Sequence, residues 1–342
     1  MKNDQFLFIG PRTKKDNPME TGGVIVLFEN LLNYCEKHSF CYDVIDTNKS
    51  NYNNKFIAYF SIIYKIFRNT SKYSHISLHG TAKDFIYLAP FVIFSGLLLK
   101  KSVSLRKFAG NFNKIYNDSS ILKKLFIRMT LQHSSANFFE TKYLVDFFKI
   151  YNRNTYWFPN VRNKTNIKTD TTYRKRFIFI GAINEEKGIE VLCQASNMLP
   201  KEYTIDLYGK LNKPFSLEYF QNYNVNYKGT LSSEEVLKVM ANYDVLLLPS
   251  YREGYPGAII EAFSVGLPVI ATTLSSIKEM VDTNCGMLIK PGDFNALKDT
   301  IISFNQDNYS RYRSHAIKQF ENFDSEVQTS MFFKKIEKVT QT

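Results

Sequence analysis

Residues 249–272, PSYREGYPGAIIEAFSVGLPVIAT, decide the fold of this 342-residue chain. They follow the apolar run Val245-Leu246-Leu247-Leu248, which lies between Asp244 and Pro249. A short continuous apolar run of this kind reads as a strand buried on both faces, as in parallel sheets. Gly254-Tyr255-Pro256-Gly257 reads as a tight turn. Pro256 suits the first position of a helix, and Gly266 suits the position just past its end. Pro268 and a second apolar run, Val269-Ile270-Ala271, follow. The order strand, loop, helix, strand is one βαβ unit, so the stretch predicts an α/β protein with parallel sheet.

Two carboxylates punctuate this unit, Glu253 and Glu261, with seven residues between them. The loop delivers Glu253 to the carboxyl end of its strand, where open α/β sheets bind ligands. Glu261 falls about a turn inside the helix, among Ile259, Ile260, Ala262 and Phe263. A helix amino terminus preceded by glycines offers free N–H groups and the positive end of a dipole, which favours phosphate. A carboxylate in the same cleft accepts hydrogen bonds from hydroxyls. Phosphate with several hydroxyls describes a nucleotide sugar. Taken singly, each glutamate is better explained as a solvated loop or helix residue. The pair, the glycine turn and the flanking strands together carry the inference.

The segment resembles the E-x7-E signature of the retaining glycosyltransferases of family 4, and the likeness runs through the carboxyl half. Phe179-Ile180-Gly181-Ala182-Ile183-Asn184-Glu185-Glu186-Lys187-Gly188 resembles that family's strand and Gly-Arg-x-x-x-x-Lys-Gly phosphate loop. Ile205-Asp206-Leu207-Tyr208-Gly209 resembles its next strand and glycine. Tyr227-Lys228-Gly229-Thr230-Leu231, followed by Ser232-Ser233-Glu234-Glu235-Val236, resembles the strand and helix that frame the base. Glu279-Met280-Val281, Gly286-Met287-Leu288-Ile289 and Pro291-Gly292-Asp293 are similar to its closing segment. Ala182 stands where the family has an arginine, so one expected diphosphate cation is missing or comes from elsewhere.

The resemblance implies the GT-B fold: two Rossmann-like α/β domains facing a central cleft, with a carboxyl-terminal helix crossing back to the first. The implied division is residues 1–161 as an acceptor domain, 162–175 as a linker, 176–320 as the nucleotide-sugar domain and 321–342 as the returning helix. Lys187 and Glu253 are the implied catalytic residues. The implied donor contacts are Gly181, Asn184, Lys187, Gly209 and Leu231, then Gly254, Tyr255, Pro256, Gly257 and Glu261. Gly22 and Gly23, after Met19-Glu20-Thr21, resemble the family's first glycine loop, which implies that they too contact the donor, at its phosphates, although alone they read as an ordinary strand–helix turn. No Asp-x-Asp occurs in the chain, so no metal or cofactor is expected. The implied reaction transfers a sugar from a UDP- or GDP-linked donor to an acceptor hydroxyl with retention, as in O-antigen, capsule or exopolysaccharide assembly. Such retention is attributed to front-face attack, with the leaving phosphate taking the proton.

Size and composition agree with two domains, since 342 residues with 44% hydrophobic content can build two cores. Phe6-Leu7-Phe8-Ile9-Gly10 reads as a first strand rather than a signal peptide. Residues 85–99, FIYLAPFVIFSGLLL, are too short and too interrupted by Pro90 and Gly96 to span a bilayer, and read as a buried or interfacial helix. Cys35, Cys41, Cys193 and Cys285 show no metal or disulfide spacing and read as reduced thiols of a cytoplasmic protein. The spacing of Val327, Met331, Phe332 and Ile336 predicts an amphipathic helix over residues 325–339.

Charge is lopsided. Residues 1–165 hold 24 Lys+Arg against 11 Asp+Glu, whereas the remainder holds 20 against 21. Basic clusters such as Lys14-Lys15, Lys100-Lys101, Arg106-Lys107 and Lys123-Lys124 sit beside apolar residues. They suggest attraction to the anionic inner face of a cell membrane, and hence a lipid-linked glycan acceptor, or else a merely solvated basic surface. No nucleic-acid-binding motif accompanies the charge, so nucleic acid is not the expected partner. In the amino-terminal half, Val103-Ser104-Leu105-Arg106-Lys107-Phe108-Ala109-Gly110 reads as a strand ending in a glycine. His79 falls at a strand end, where a lone histidine is more often structural. Phe158-Pro159-Asn160-Val161 resembles the family's Pro-Asn segment. Two other functions share the pattern: a nucleotide-sugar epimerase, which would release an isomerised donor without acceptor, and a non-catalytic scaffold subunit, which Ala182 favours and Lys187, Glu253 and Glu261 oppose.

Overall fold

The computed structural model describes residues 5–14, 22–167 and 169–341. Met19, Glu20 and Thr21 of the first glycine loop, and Lys15, lie outside the described residues. The chain forms two compact units, one of Met1–Val161 with Ser325–Thr342 and one of Arg162–Asp324.

The first unit runs β1 (Gln5–Gly10), α1 (Gly23–Lys37), β2 (Cys41–Asp46), α2 (Lys55–Asn69), β3 (His75–Gly80), α3 (Ala82–Tyr87), α4 (Ala89–Leu98) and β4 (Ser102–Lys107). It continues through α5 (Phe112–Asn117), α6 (Ile121–His133), β5 (Ala136–Phe139), α7 (Lys142–Phe148) and β6 (Thr155–Trp157). The strands form one six-stranded parallel sheet in the order β2-β1-β3-β4-β5-β6. Strands such as Phe6-Leu7-Phe8-Ile9 are apolar on successive residues because helices cover both faces of the sheet. Two apolar cores result. One holds Ile62, Val92 and Ile127 from α2, α4 and α6. The other holds Leu27 and Phe28 from α1.

Residues 85–99 form two helices rather than one. Pro90 stands in the first turn of α4 and lacks the N–H that would continue α3. The strand expected to reach Gly110 ends at Lys107. Arg106 and Lys107, expected among the surface basic clusters, are instead buried: Arg106 donates to the Pro159 carbonyl and Lys107 to the Phe108 and Ala109 carbonyls. His79 is buried and structural: it shares a 2.9 Å hydrogen bond with Ser77, which accepts one from Ser104, which in turn bonds His75. Burial without a countercharge pushes the His75 imidazole down to about 3 and lowers His79 well below its usual range.

The second unit runs β7 (Arg176–Ile180), α8 (Ile189–Ser196), β8 (Thr204–Tyr208), α9 (Leu217–Phe220), β9 (Asn226–Tyr227), α10 (Ser233–Met240) and β10 (Val245–Leu248). After it come α11 (Gly257–Ser264), β11 (Val269–Thr272), α12 (Ser275–Lys278), β12 (Gly286–Ile289), α13 (Phe294–Ser303) and α14 (Gln306–Phe320). Its parallel sheet has the order β12-β11-β10-β7-β8-β9. The chain therefore builds outward from β7 to β9, then returns to β7 and builds the other way from β10. The point of reversal lies between β7 and β10, where such sheets open a crevice at their carboxyl ends. Residues 162–175 are tied to this unit. The Arg162 N–H donates to the Phe323 carbonyl, and the Arg174 and Arg176 N–H groups donate to Asp244.

The last helix, α15 (Ser325–Thr340), packs on the first unit against α1 and β5. Its inward face differs from the expected stripe. Val327 and Met331 are exposed, while Phe332, Phe333 and Ile336 fill the α1 core, with Phe333 stacked 4.4 Å from Phe40. A phenylalanine pair fills the groove between α1 and the sheet better than the spacing alone indicates.

Candidate active site

Lys187 and Glu253 are 66 residues apart in sequence and meet at the reversal point of the second sheet. Lys187 arrives from β7. The loop of residues 181–184 leads into a single 3-10 turn, Glu185–Lys187, whose first N–H groups need a cap. Asn184 supplies it, its side chain accepting from the Lys187 N–H at 3.1 Å. Gly188 then adopts a left-handed φ of 68°. A side chain there would strike the Pro249 carbonyl just beyond β10, so only glycine lets the two loops close together. The Tyr251 N–H donating to the Glu186 carbonyl at 2.8 Å locks them.

Glu253 arrives from β10. Its side chain is almost wholly buried, and its Oε1 accepts from Lys187 Nζ at 2.6 Å and from Ser250 Oγ at 2.8 Å. The Ser250 carbonyl is held by Thr272 Oγ1 from β11 at 2.7 Å, and Ser276 Oγ lies 3.4 Å from the Glu253 carbonyl. Lys187 and Ser250 thus fix the carboxylate, and β11 and α12 hold the loop that carries it, as a positioning group requires.

Loops after β7, β8 and β9 are laced by backbone bonds. The Gly181 N–H donates to Tyr208 O, the Ile183 N–H to Lys210 O and the Gly209 N–H to Gly229 O. Gly209, at φ 150°, lies so close to the Gly181 carbonyl that any side chain would overlap it. Leu231 is half-buried in the loop that leads to α10.

The helix after β10, α11, starts one residue later than the sequence suggests. Pro256 is extended, with ψ 118°, and forms the cap, while Gly257 is the first helical residue. Gly266 has φ 74° just past the end, which stops the helix as glycine does. Pro256, the cap residue of α11, makes no side-chain bond to its first turn. Gly254 is half-buried, and Pro256 and Tyr255 are buried, with the Tyr255 ring 6.1 Å from that of Phe323. Glu261 lies one turn in, partly exposed, and accepts from Arg162 Nε at 2.7 Å.

Arg162 is a site residue that no motif in the sequence marks. It reads as the start of a linker, yet its guanidinium lies over the first turn of α11. A side chain on Gly257 would overlap its Nη2. The only signal for it in the sequence is the shortfall of positive charge left by Ala182, which the structure leaves exposed. Gly22 and Gly23 belong to the first unit, where Gly22 caps α1 without a side-chain partner. Among the described residues no group of three His, Cys, Asp or Glu side chains is placed to hold a metal ion.

Residues 174–307 match the family model described as Glycosyl transferases group 1. Over 146 residues the chain is 31% identical to the amylovoran biosynthesis glycosyltransferase AmsK of Erwinia amylovora, covering 38% of this chain and 36% of that protein. It is 25% identical over 146 residues to the O-antigen chain mannosyltransferase B of Escherichia coli, with the same two coverages. The matched region thus spans about a third of these relatives' length. In structure, the chain superposes on Anabaena Alr3699/HepE in complex with UDP with a TM-score of 0.75 at 14% identity, covering 98% of this chain and 100% of that one. HepE has also been solved with UDP-glucose. The two-sheet architecture is therefore that of GT-B glycosyltransferases.

Proposed function

We propose that this chain is a glycosyltransferase that moves a sugar from a nucleoside-diphosphate donor to an acceptor hydroxyl, retaining the anomeric configuration and needing no divalent metal. The observation that carries the reading is the Lys187–Glu253 pair at the sheet's reversal point, beside the first turn of α11, which its cap residue Pro256 leaves without a side-chain bond. In this reading the second unit binds the donor and the first takes the acceptor.

The chemistry follows from the side chains. The bond from the anomeric carbon to the phosphate oxygen breaks, and the acceptor oxygen bonds to that carbon. The acceptor's proton passes to the departing phosphate on the same face, so no external base is required. The demand on the protein is to stabilise negative charge growing on the phosphate. Lys187, released from Glu253, supplies one cation, and the first-turn amides of α11 supply dipoles. Arg162 supplies the cation that Ala182 does not. Glu253 orients hydroxyls of the transferred sugar. Glu261, aimed by Arg162, holds the ribose hydroxyls, while Asn184 and Gly209 shape the phosphate loops and Leu231 borders the base.

The similarity to polysaccharide glycosyltransferases supports a role in bacterial surface-polysaccharide assembly, with a lipid-linked glycan as acceptor. The UDP bound by HepE supports a UDP-linked donor ahead of a GDP-linked one. The test is incubation with a panel of nucleotide sugars, scored by mass spectrometry for released nucleoside diphosphate. Turnover of one donor class supports the reading. Binding of every donor without turnover, with or without lipid-linked acceptors, favours the scaffold instead, and an isomerised donor favours the epimerase.

A further inference from the structure

Three neighbouring helices of the first unit are apolar on both sides. Inward, α2, α4 and α6 bury Ile62 and Ile66, Val92 and Ile93, and Ile127 and Leu131 against the sheet. The opposite side of such a helix is ordinarily polar. Here it is not. Phe56, Phe60, Tyr64 and Phe67 form one stripe along α2, with Phe56 and Phe60 79% and 75% exposed. Tyr87, Phe91, Phe94 and Leu98 form a second along α3 and α4, with Phe94 58% exposed. Ile121, Leu125 and Met129 form a third on α6, with Ile121 88% exposed. The stripes adjoin: the rings of Phe67 and Phe94 are 6.1 Å apart, those of Tyr59 and Tyr87 6.0 Å, and α4 packs on α6. A contiguous apolar face of this kind marks an interaction surface.

The charges around it identify the partner. Residues 48–72, 82–101 and 119–133, which contain these helices, hold 11 Lys+Arg and a single acidic residue, Asp84. Asp84 is buried and paired with Lys49, so it does not offset the surface charge. Lys55, Lys65, Arg68, Lys83, Lys123 and Arg128 are all exposed.

We propose that this face docks the first unit on an anionic lipid bilayer. Aromatic and aliphatic side chains on adjoining helices, interleaved with lysine and arginine and, within those segments, without exposed acid, match the boundary between acyl chains and anionic headgroups. A second copy of the chain fits poorly, because a two-fold interface would press the same cationic patch against itself. A protein partner fits poorly too, since the centres of protein interfaces are depleted in lysine. No helix among the described residues is long and apolar enough to cross a membrane, so these helices lie on the bilayer rather than through it. The inference gives a physical site to the lipid-linked acceptor of the reading above. Vesicle binding needs no nucleotide sugar, so its failure leaves the transferase reading intact.

The experiment is sedimentation of the full chain, without donor, with vesicles of phosphatidylcholine plus phosphatidylglycerol and with phosphatidylcholine alone. The wild type should bind the anionic vesicles, less at high salt, and bind the neutral ones at least about tenfold more weakly. The double variant Phe60→Ser/Phe94→Ser should lose about tenfold or more in binding, as two phenyl rings are withdrawn from the apolar boundary. Lys55→Glu/Lys83→Glu/Lys123→Glu should lose at least as much and most of the salt dependence. All five side chains are exposed, so circular-dichroism melting should be unchanged, which separates lost docking from lost folding. Wild-type protein that stays in the supernatant with anionic vesicles overturns the proposal. So does binding that the phenylalanine pair does not alter. A stable dimer in light scattering that the same pair dissolves also overturns it, because the occupant is then a second copy.

Discussion

Gly257→Ala tests the Arg162–Glu261 arrangement without touching either charged residue. Gly257 is the first residue of α11 and does not have a positive φ, so alanine meets no backbone strain. Helix propensity favours alanine over glycine by up to about 1 kcal/mol. The only obstacle is the tip of Arg162: the new Cβ would overlap Nη2 and lie 3.0 Å from Cζ. A guanidinium tip is flexible, so the conflict is relieved by moving it, and the cost falls on its 2.7 Å bond to Glu261. Those side chains are only 19% and 23% exposed, so solvent screens the pair incompletely. A charge-assisted hydrogen bond of this kind contributes about 1.5–3 kcal/mol. A relocated guanidinium recovers part of that, leaving an expected loss of about 1–2 kcal/mol in nucleoside-diphosphate affinity, roughly five- to thirtyfold. Calorimetric titration with UDP and GDP measures the affinity, and thermal melting measures the fold. The expected outcome is weaker binding with an unchanged or slightly raised melting temperature. Wild-type affinity in Gly257→Ala would refute a role for this pair in nucleotide binding. A large drop in melting temperature would refute the premise that Arg162 can move.

Lys187→Ala should lower turnover by about a hundredfold or more, the scale for removing one preorganised cation from a developing phosphate charge; wild-type kinetics would show the cation lies elsewhere. Glu253→Gln should spare nucleoside-diphosphate affinity while lowering turnover, whereas Glu261→Gln should weaken binding of donor and product alike; the reverse pattern exchanges the two roles. Turnover should persist in EDTA after dialysis, and near-complete loss restored by magnesium or manganese would show that the phosphate site uses a metal. Stability should fall on acidification because of the buried His75. Its folded-state value, about 3, lies below the 6.5 of the unfolded chain, so the unfolded state binds the extra proton in between. The stability is fully present above about pH 6.5 and lost as pH falls toward 3, amounting to about 2 kcal/mol at pH 5. Urea unfolding at pH 7 and pH 5 should show a smaller pH difference in His75→Gln than in wild type; equal differences would mean that His75 is not held neutral.

Some features are fixed by chemistry within a few residues. The runs Phe6-Leu7-Phe8-Ile9 and Val245-Leu246-Leu247-Leu248 announce buried parallel strands because both faces are covered. Gly266 announces a helix end because its left-handed φ suits glycine. Periodicity was less reliable where packing decided. It placed Val327 and Met331 inward on α15, while the groove beside α1 took Phe332 and Phe333. It joined residues 85–99 into one helix that Pro90 divides, and it gave no sign that the outer sides of α2, α4 and α6 stay uncovered, since apolar residues on both sides of a helix ordinarily indicate full burial.

Runs of a few residues carry the βαβ units, the glycine turns and the two glutamates with seven residues between them. Tertiary structure alone decided what those glutamates touch. Lys187 reaches Glu253 because the sheet reverses between β7 and β10 and sets their carboxyl ends side by side, a matter of strand order that no local window encodes. Arg162 reaches Glu261, 99 residues away, because its backbone is bonded to the Phe323 carbonyl, which aims the side chain at a helix whose first residue has no Cβ. Local propensities act over a turn or a strand, whereas ion pairs at such separations exist only after chain reversal has met the cost of closing the loops between them.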